Sequence, residues 1–315
     1  MTVTTGRSAT SRSRVPWPDL LRLTWRQHRA LLLTSILLTL AAIAFALSTT
    51  AARGTPLLPV FADTDADPAR WILLAEQGFG VFIAVFWALI SLEYERRTNL
   101  LAWSQDVSPR RWLAGKLALL VPVAVVLAVA VGVTGGVVAG RYNEQGFDFG
   151  PGFAANFEAS PALQAAYVLF GFALGLVLSA LTRRTVLSMA LTLGIYAVVR
   201  FALIPWRLHY LPAVREATPF GSGDGRPTQP DDLWITSGYL TTSGEGVDFP
   251  QVCLNLPPGP PEAPRTCMIE NGIVGSFVDY QPVTRVPALQ FIEVGIFAVL
   301  AAVLFAVLWR VMRRA

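Results

Sequence analysis

The chain has 315 residues, 53% of them hydrophobic and 15% charged, with a formal net charge of +4. Soluble domains carry roughly 25% charged residues, so this composition excludes an ordinary water-soluble core and points to a chain that lives in a bilayer. Two His and two Cys, with no CxxC or HExxH pattern, also exclude a dense metal centre.

In chain order, the first 29 residues form a polar tail and a basic helix. The tail lacks the shape of a cleaved signal peptide and is expected to be retained. From Pro16 to Arg29, Trp17, Leu20, Leu21 and Trp25 recur at helical spacing, interleaved with Arg22, Arg26 and Arg29. That pattern predicts an interfacial helix, basic residues toward lipid phosphates, with Trp17, Leu21, Trp25 and Arg26 as its marking residues. Six apolar runs follow, at residues 30–49, 71–92, 113–139, 163–181, 186–205 and 288–309. Each approaches or exceeds the roughly 20 residues that cross a bilayer. In lipid they must be helical to satisfy their own backbone. The expected class is an all-α polytopic membrane protein with six transmembrane helices. Its parts are residues 1–29, spans one to five at 30–205, a segment at 206–285, and a sixth span and tail at 286–315.

Charge sets the expected orientation. With both termini on one side, that side holds 16 Lys and Arg in 63 residues, against 8 in 124 on the other. The positive-inside rule then places both termini in the cytosol. Arg183 and Arg184 read as a tight turn on that side. The Arg-rich, Lys-poor usage fits a GC-rich bacterial genome, hence a bacterial plasma membrane.

Between spans two and three, residues 91–117 read SLEYERRTNLLAWSQDVSPRRWLAGKL. Charged residues mark both membrane boundaries, and Leu100, Leu101 and Trp103 form a short amphipathic piece between them. A charged elbow of this kind is a place where a soluble partner can grip a membrane protein. The segment at 206–285 has 11 of the 22 prolines and both cysteines. Cys253 and Cys267 close a short loop in an oxidising compartment, so a disulfide is expected. The segment is expected to be a small irregular cap with a few short strands, its apolar runs at Leu233–Tyr239 and Ile273–Tyr280.

Inside the spans, Glu76 and Gln77 in the second and Gln290 and Glu293 in the sixth lie at similar depth. Carboxylates there are costly unless they face water or a partner. One reading is an acidic outer vestibule touching a polar or cationic part of a substrate; the others are snorkelling, or pairing with Arg70 or Arg200. Gly132, Gly136 and Gly140, and Gly171 and Gly175, recur every fourth residue and predict close helix contacts. Pro122 is a candidate kink. No GxxxxGK[ST] loop, nucleophile elbow or dinucleotide fingerprint occurs, so no catalytic residue is assigned and no nucleic-acid partner is expected. His28 and His209 read as surface residues. Active transport would need an energy source in another chain or an ion gradient.

Several stretches resemble the permease subunits of bacterial ABC exporters, of the six-span kind common in actinobacteria. They are TWRQHRALLL from Thr24, the elbow LEYERRTNLLAWSQDVSPRRWLAGKL from Leu92, HYLP from His209, YQPVTR from Tyr280 and QFIEVGIF from Gln290. In the elbow, Glu93, Glu95, Thr98, Ala102, Trp103, Gln105, Val107, Arg111 and Trp112 match the family pattern; Arg97 departs from it, where Gly is usual. The resemblance implies two paired permeases, as a homodimer, bound to two copies of a cytosolic ATPase that holds ATP and Mg. This chain would itself hold no cofactor and be no enzyme. Glu93, Glu95, Arg96, Thr98, Leu101, Trp103, Gln105, Arg110 and Arg111 would form the coupling elbow. The cargo would be a hydrophobic or amphipathic drug, antibiotic, peptide or lipid, exported by alternating access. A gradient-driven transporter and a non-transport scaffold or sensor displaying the cap are the alternatives.

Overall fold

In a computed structural model, the structure describes residues 16–51, 68–87, 108–143, 157–221, 232–254 and 263–314. The helices are α1 (Trp17–Ala51), α2 (Pro68–Phe86), α3 (Pro109–Asn143), α4 (Pro161–Thr182), α5 (Thr185–Leu203), a short α6 (Ala263–Glu270) and α7 (Val286–Arg314). Five stretches among the described residues are long and apolar enough to cross a membrane: Trp17–Ser48, Pro109–Gly140, Pro161–Thr182, Thr185–His209 and Val283–Arg313. The second predicted span, 71–92, overlaps α2, a helix of 19 residues that is not one of these five; residues 88–92 lie outside the described residues.

α4 is the hub, packing against α7, α3, α2 and α5. Its composition explains this: fifteen of its residues are buried, including Gly171, Gly175, Phe172 and Tyr167. A Cβ on Gly171 would lie 2.8 Å from Ala84 Cβ and 2.9 Å from Tyr196 Cε2. Glycine there lets α2 and α5 close on α4 together. Gly132 does the same for α3, whose backbone meets Pro161 at the start of α4; an added Cβ would lie 2.7 Å from Pro161 Cα. Gly140, by contrast, has no atom within 4 Å of such a Cβ, so its place in the glycine series marks no contact. α3 runs unbroken through Pro122.

Pro161 opens α4 with its ring at the first turn, where no intrahelical N–H is required. The helix ends on Arg183 at φ 54°, whose N–H donates to Ser179 O at 3.1 Å. The chain reverses there and α5 starts at Thr185, which is the tight turn expected at Arg183 and Arg184. Away from α4 the helices present apolar surface: Val186 is 80% and Phe201 72% exposed. Bands of this kind are a natural boundary with lipid.

Two expectations need correction. The basic segment before residue 30 is not a separate interfacial helix: α1 is continuous from Trp17 to Ala51. At about 1.5 Å per residue it is about 52 Å long, well beyond the roughly 30 Å hydrocarbon core. No Gly or Pro follows Pro18 within it, so nothing breaks the helix at Ala30. Nor is the chain all-α. The segment after α5 folds as a four-stranded antiparallel sheet, β1 (Val214–Pro219), β2 (Leu233–Thr241), β3 (Gly246–Val247) and β4 (Ile273–Gln281), in the order β1-β4-β2-β3. The runs expected to be apolar strands are β2 and β4. β4 is central and pairs with both β1 and β2. The Phe277 ring covers Gly238 and Gly246, where a Cβ would come within 2.8 Å of it.

The Cys253–Cys267 disulfide is present. It packs with Met268 and Ile273 in a small core of the cap, bordered by Phe220, Tyr239 and Phe249. The cap is fixed to the bundle by Gln281, whose Nε2 donates to Leu208 O at 3.1 Å and Leu211 O at 2.6 Å. Leu233 of β2 joins the bundle core beside Leu163, Leu289 and Phe297.

Candidate functional site

Beneath the cap, four charged side chains from separate parts of the chain meet in the interior. Glu158 precedes α4, Arg200 is on the last turn of α5, Arg207 is in the short helical turn Ile204–His209, and Glu293 is on α7. All four are buried, Glu293 completely. Arg207 holds Glu293 with two bonds, Nε to Oε2 at 2.8 Å and Nη2 to Oε1 at 2.9 Å. The same Nη2 donates to Glu158 Oε1 at 2.6 Å. Arg200 Nη2 donates to Glu158 Oε2, and its Nη1 lies 3.8 Å from Glu293 Oε1. Tyr167 of α4 donates its hydroxyl to Glu293 at 2.6 Å, and the Arg200 guanidinium lies 3.5 Å over its ring. α5 and α7 each pack on α4, and the cluster joins them across its end.

The backbone around the cluster is fixed as well. Gln164 donates to Glu158 O at 3.2 Å, and Gln290 donates to Phe157 O at 2.9 Å. Tyr210 lies in the connection to the cap, 3.5 Å from Glu293 Oε2. Burial, then the charge of Glu293, pushes the Tyr210 hydroxyl up to about 12, so it remains a donor at every physiological pH. Two guanidiniums facing two carboxylates balance in charge, and shared bidentate bonding offsets the desolvation each ion suffers. The arrangement works as an electrostatic latch. Among the described residues no histidine or cysteine joins it, and no group of His, Cys, Asp and Glu could hold a metal ion.

The predicted site residues fall into three sets. Among the described residues no acidic outer vestibule is formed: Glu293 is fully enclosed and Glu76 only 7% exposed. Gln290 holds backbone instead, and Gln77 lies in α2 with its side chain outside the described residues. Pairing is what occurs at Glu293, with Arg207 as principal partner and Arg200 alongside. Arg200, one of the two partners expected for these carboxylates, is itself buried. Of the elbow, Glu93, Glu95, Arg96, Thr98, Leu101, Trp103 and Gln105 lie outside the described residues. Arg110 and Arg111 open α3, and both are half-buried: Arg110 stands over the Trp309 ring at 5.4 Å and Arg111 over the Trp17 ring at 5.5 Å. They bring the beginnings of α1 and α3 and the end of α7 together.

Trp17, Leu21, Trp25 and Arg26 occupy the exposed side of the first turns of α1. The opposite side, Leu20 and Thr24, is buried, and Leu20 Cβ lies 3.4 Å from where a Cβ on Gly115 of α3 would sit. His28, expected at the surface, is half-buried and lies 3.2 Å from the Lys116 ammonium.

Sequence reasoning missed Glu158, Arg207 and Tyr167. One signal was present: Arg200 and Arg207 are seven residues apart, two helical turns, which places them on one face. Their carboxylate partners come from 42 to 93 residues away in either direction, and nothing local announces them.

No curated protein and no solved structure matches the chain. Residues 28–207, more than half of the chain, match the family described as ABC-2 membrane transporter related. That stretch runs from α1 through Arg207, so it includes the hub α4 and three of the four latch residues. The chain is a multi-pass helical membrane protein and belongs to the ABC-2 type permease family.

Proposed function

We propose that the chain is the membrane-spanning subunit of an ATP-driven exporter, working with a separate cytosolic ATPase that binds ATP and Mg. The observation that carries this reading is the family match over residues 28–207. The chain has no phosphate-binding loop of its own, so hydrolysis belongs to the partner. In this reading α2 is a sixth span, both termini are cytosolic, and residues 91–117 with the start of α1 receive the ATPase. Two copies of the chain pair around a hydrophobic or amphipathic cargo in a bacterial plasma membrane. Support for the contact comes from Arg110 and Arg111, whose stacking on Trp309 and Trp17 links the elbow to two further helices. A push on the elbow would therefore be felt by α1, α3 and α7 together.

The test is purification of the tagged chain from cells expressing its genomic neighbours. A P-loop ATPase recovered in equal stoichiometry supports the proposal. Recovery of the intact chain without one favours a membrane scaffold or a gradient-driven transporter.

A further inference from the structure

The turn between α4 and α5 opens onto a groove of about 630 Å³, lined among the described residues by Arg184, Val186, Leu187 and Ala190. That volume is within the roughly 300–1,000 Å³ of ligand sites. Its charge is at one end only. Arg184 sits in extended backbone directly before α5, with its side chain exposed. Arg183 and Arg184 are the only charged residues between Glu158 and Arg200, so no carboxylate on either helix competes for the Arg184 guanidinium. Elsewhere the groove is apolar. Val186, Ala190, Gly194 and Val198 recur every fourth residue on one exposed face of α5. A Cβ on Gly194 would have no atom within 4 Å. The two small residues therefore leave an open furrow between Val186 and Val198. These twelve residues of helix rise about 18 Å, close to one leaflet's half of the roughly 30 Å hydrocarbon core.

A cation above an apolar furrow one leaflet deep matches an anionic amphiphile. The cationic end belongs to the basic side of the chain, where 16 Lys and Arg stand against four acids, a surplus that holds with the elbow's own carboxylates counted. A guanidinium also suits a phosphate, because it can engage two of its oxygens at once. A second copy of the chain is the poorer fit. Both copies cross the membrane in the same direction, so contact along this stripe would set Arg184 against Arg184, and like charges across an interface are costly. We propose that the furrow is a binding site for an anionic phospholipid, its phosphate on Arg184 and one acyl chain along Val186, Ala190, Gly194 and Val198. Placing that lipid in the cytosolic leaflet rests on the orientation given under the proposed function; the binding itself rests neither on that orientation nor on an ATPase.

The test uses the full chain in detergent, titrated with phosphatidylglycerol or phosphatidylcholine of equal chain length and read by native mass spectrometry. Wild type should bind phosphatidylglycerol at least about 5-fold more tightly than phosphatidylcholine. Arg184→Gln should abolish that preference. Ala190→Phe, which fills the furrow, should weaken binding of both lipids. Arg313→Gln removes an exposed cation on the last turn of α7 that does not line the groove, and should leave the preference intact. Should Ala190→Phe fail to fold, the two arginine variants decide. Equal losses in Arg184→Gln and Arg313→Gln would mean diffuse attraction to a basic face and would overturn the site. So would a wild type without preference, or a folded Ala190→Phe that binds as wild type does. A dimer lost in Ala190→Phe, with no lipid bound to wild type, would assign the furrow to a second copy instead. Failure here leaves the transporter reading standing, because the measurement involves neither an ATPase nor a defined membrane side.

Discussion

Arg207 and Glu293, 86 residues apart in sequence, meet through two parallel hydrogen bonds of 2.8 and 2.9 Å in the interior of the bundle. Removing one partner of a buried pair leaves the other charge uncompensated, which costs about 3–5 kcal/mol. Arg207→Ala and Glu293→Ala should each lower stability by that order in chemical or thermal unfolding. The double variant should cost less than the sum, because the second deletion removes the orphaned charge. Additive losses would show that the pair is not coupled.

Glycine at position 171 permits three helices to meet. Gly171→Leu places a side chain where even a Cβ would crowd Ala84 and Tyr196. The expected loss is about 1–3 kcal/mol, read as a lower thermal midpoint. Gly140→Leu, at a position with open space, should be near neutral in the same measurement.

The disulfide is expected to stabilise the cap rather than the bundle. Closing a loop of this size contributes about 3 kcal/mol. Cys253→Ser with Cys267→Ser should therefore speed proteolysis within residues 214–281 while helical content is retained. Equal cleavage rates would show that the bridge is dispensable.

Arg215 and Asp279 face each other across β1 and β4, with bonds of 2.8 and 2.7 Å. The hydrogen bond from the guanidinium holds the Asp279 carboxyl below its usual range. A lowered folded-state value means that the stabilisation is fully present above the ordinary carboxylate range and is lost as pH falls through the lowered value. Amide exchange protection of the β1–β4 ladder should weaken on acidification, and Asp279→Asn should remove that acid-dependent component.

Five of the predicted spans coincide with long apolar helices, because a helix in lipid must be apolar along its length, and that is a local property. The extent of α1 was not legible. Arg22, Arg26 and Arg29 read as a membrane boundary, yet charge alone does not end a helix, and Trp17–Ala51 contains no breaker after Pro18. In the cap, β2 and β4 were visible as short apolar runs. β1, Val214–Pro219, mixes charged and polar residues, because an edge strand is held by the pairing of Val214 with Tyr280 and its neighbours rather than by its own pattern. The latch was half legible: Glu293 and Arg200 stood out as ions at apolar positions, whereas Glu158 reads as loop until the fold brings Arg207 beside it.

The central claim is tested most directly by measuring the affinity of the chain in nanodiscs for the P-loop ATPase that co-purifies with it, with and without Trp103→Ala. An aromatic anchor at an interface is worth about 2 kcal/mol or more, so the account predicts nucleotide-sensitive binding weakened at least about 10-fold by the substitution. Equal binding by both proteins, or no binding by wild type, would contradict it.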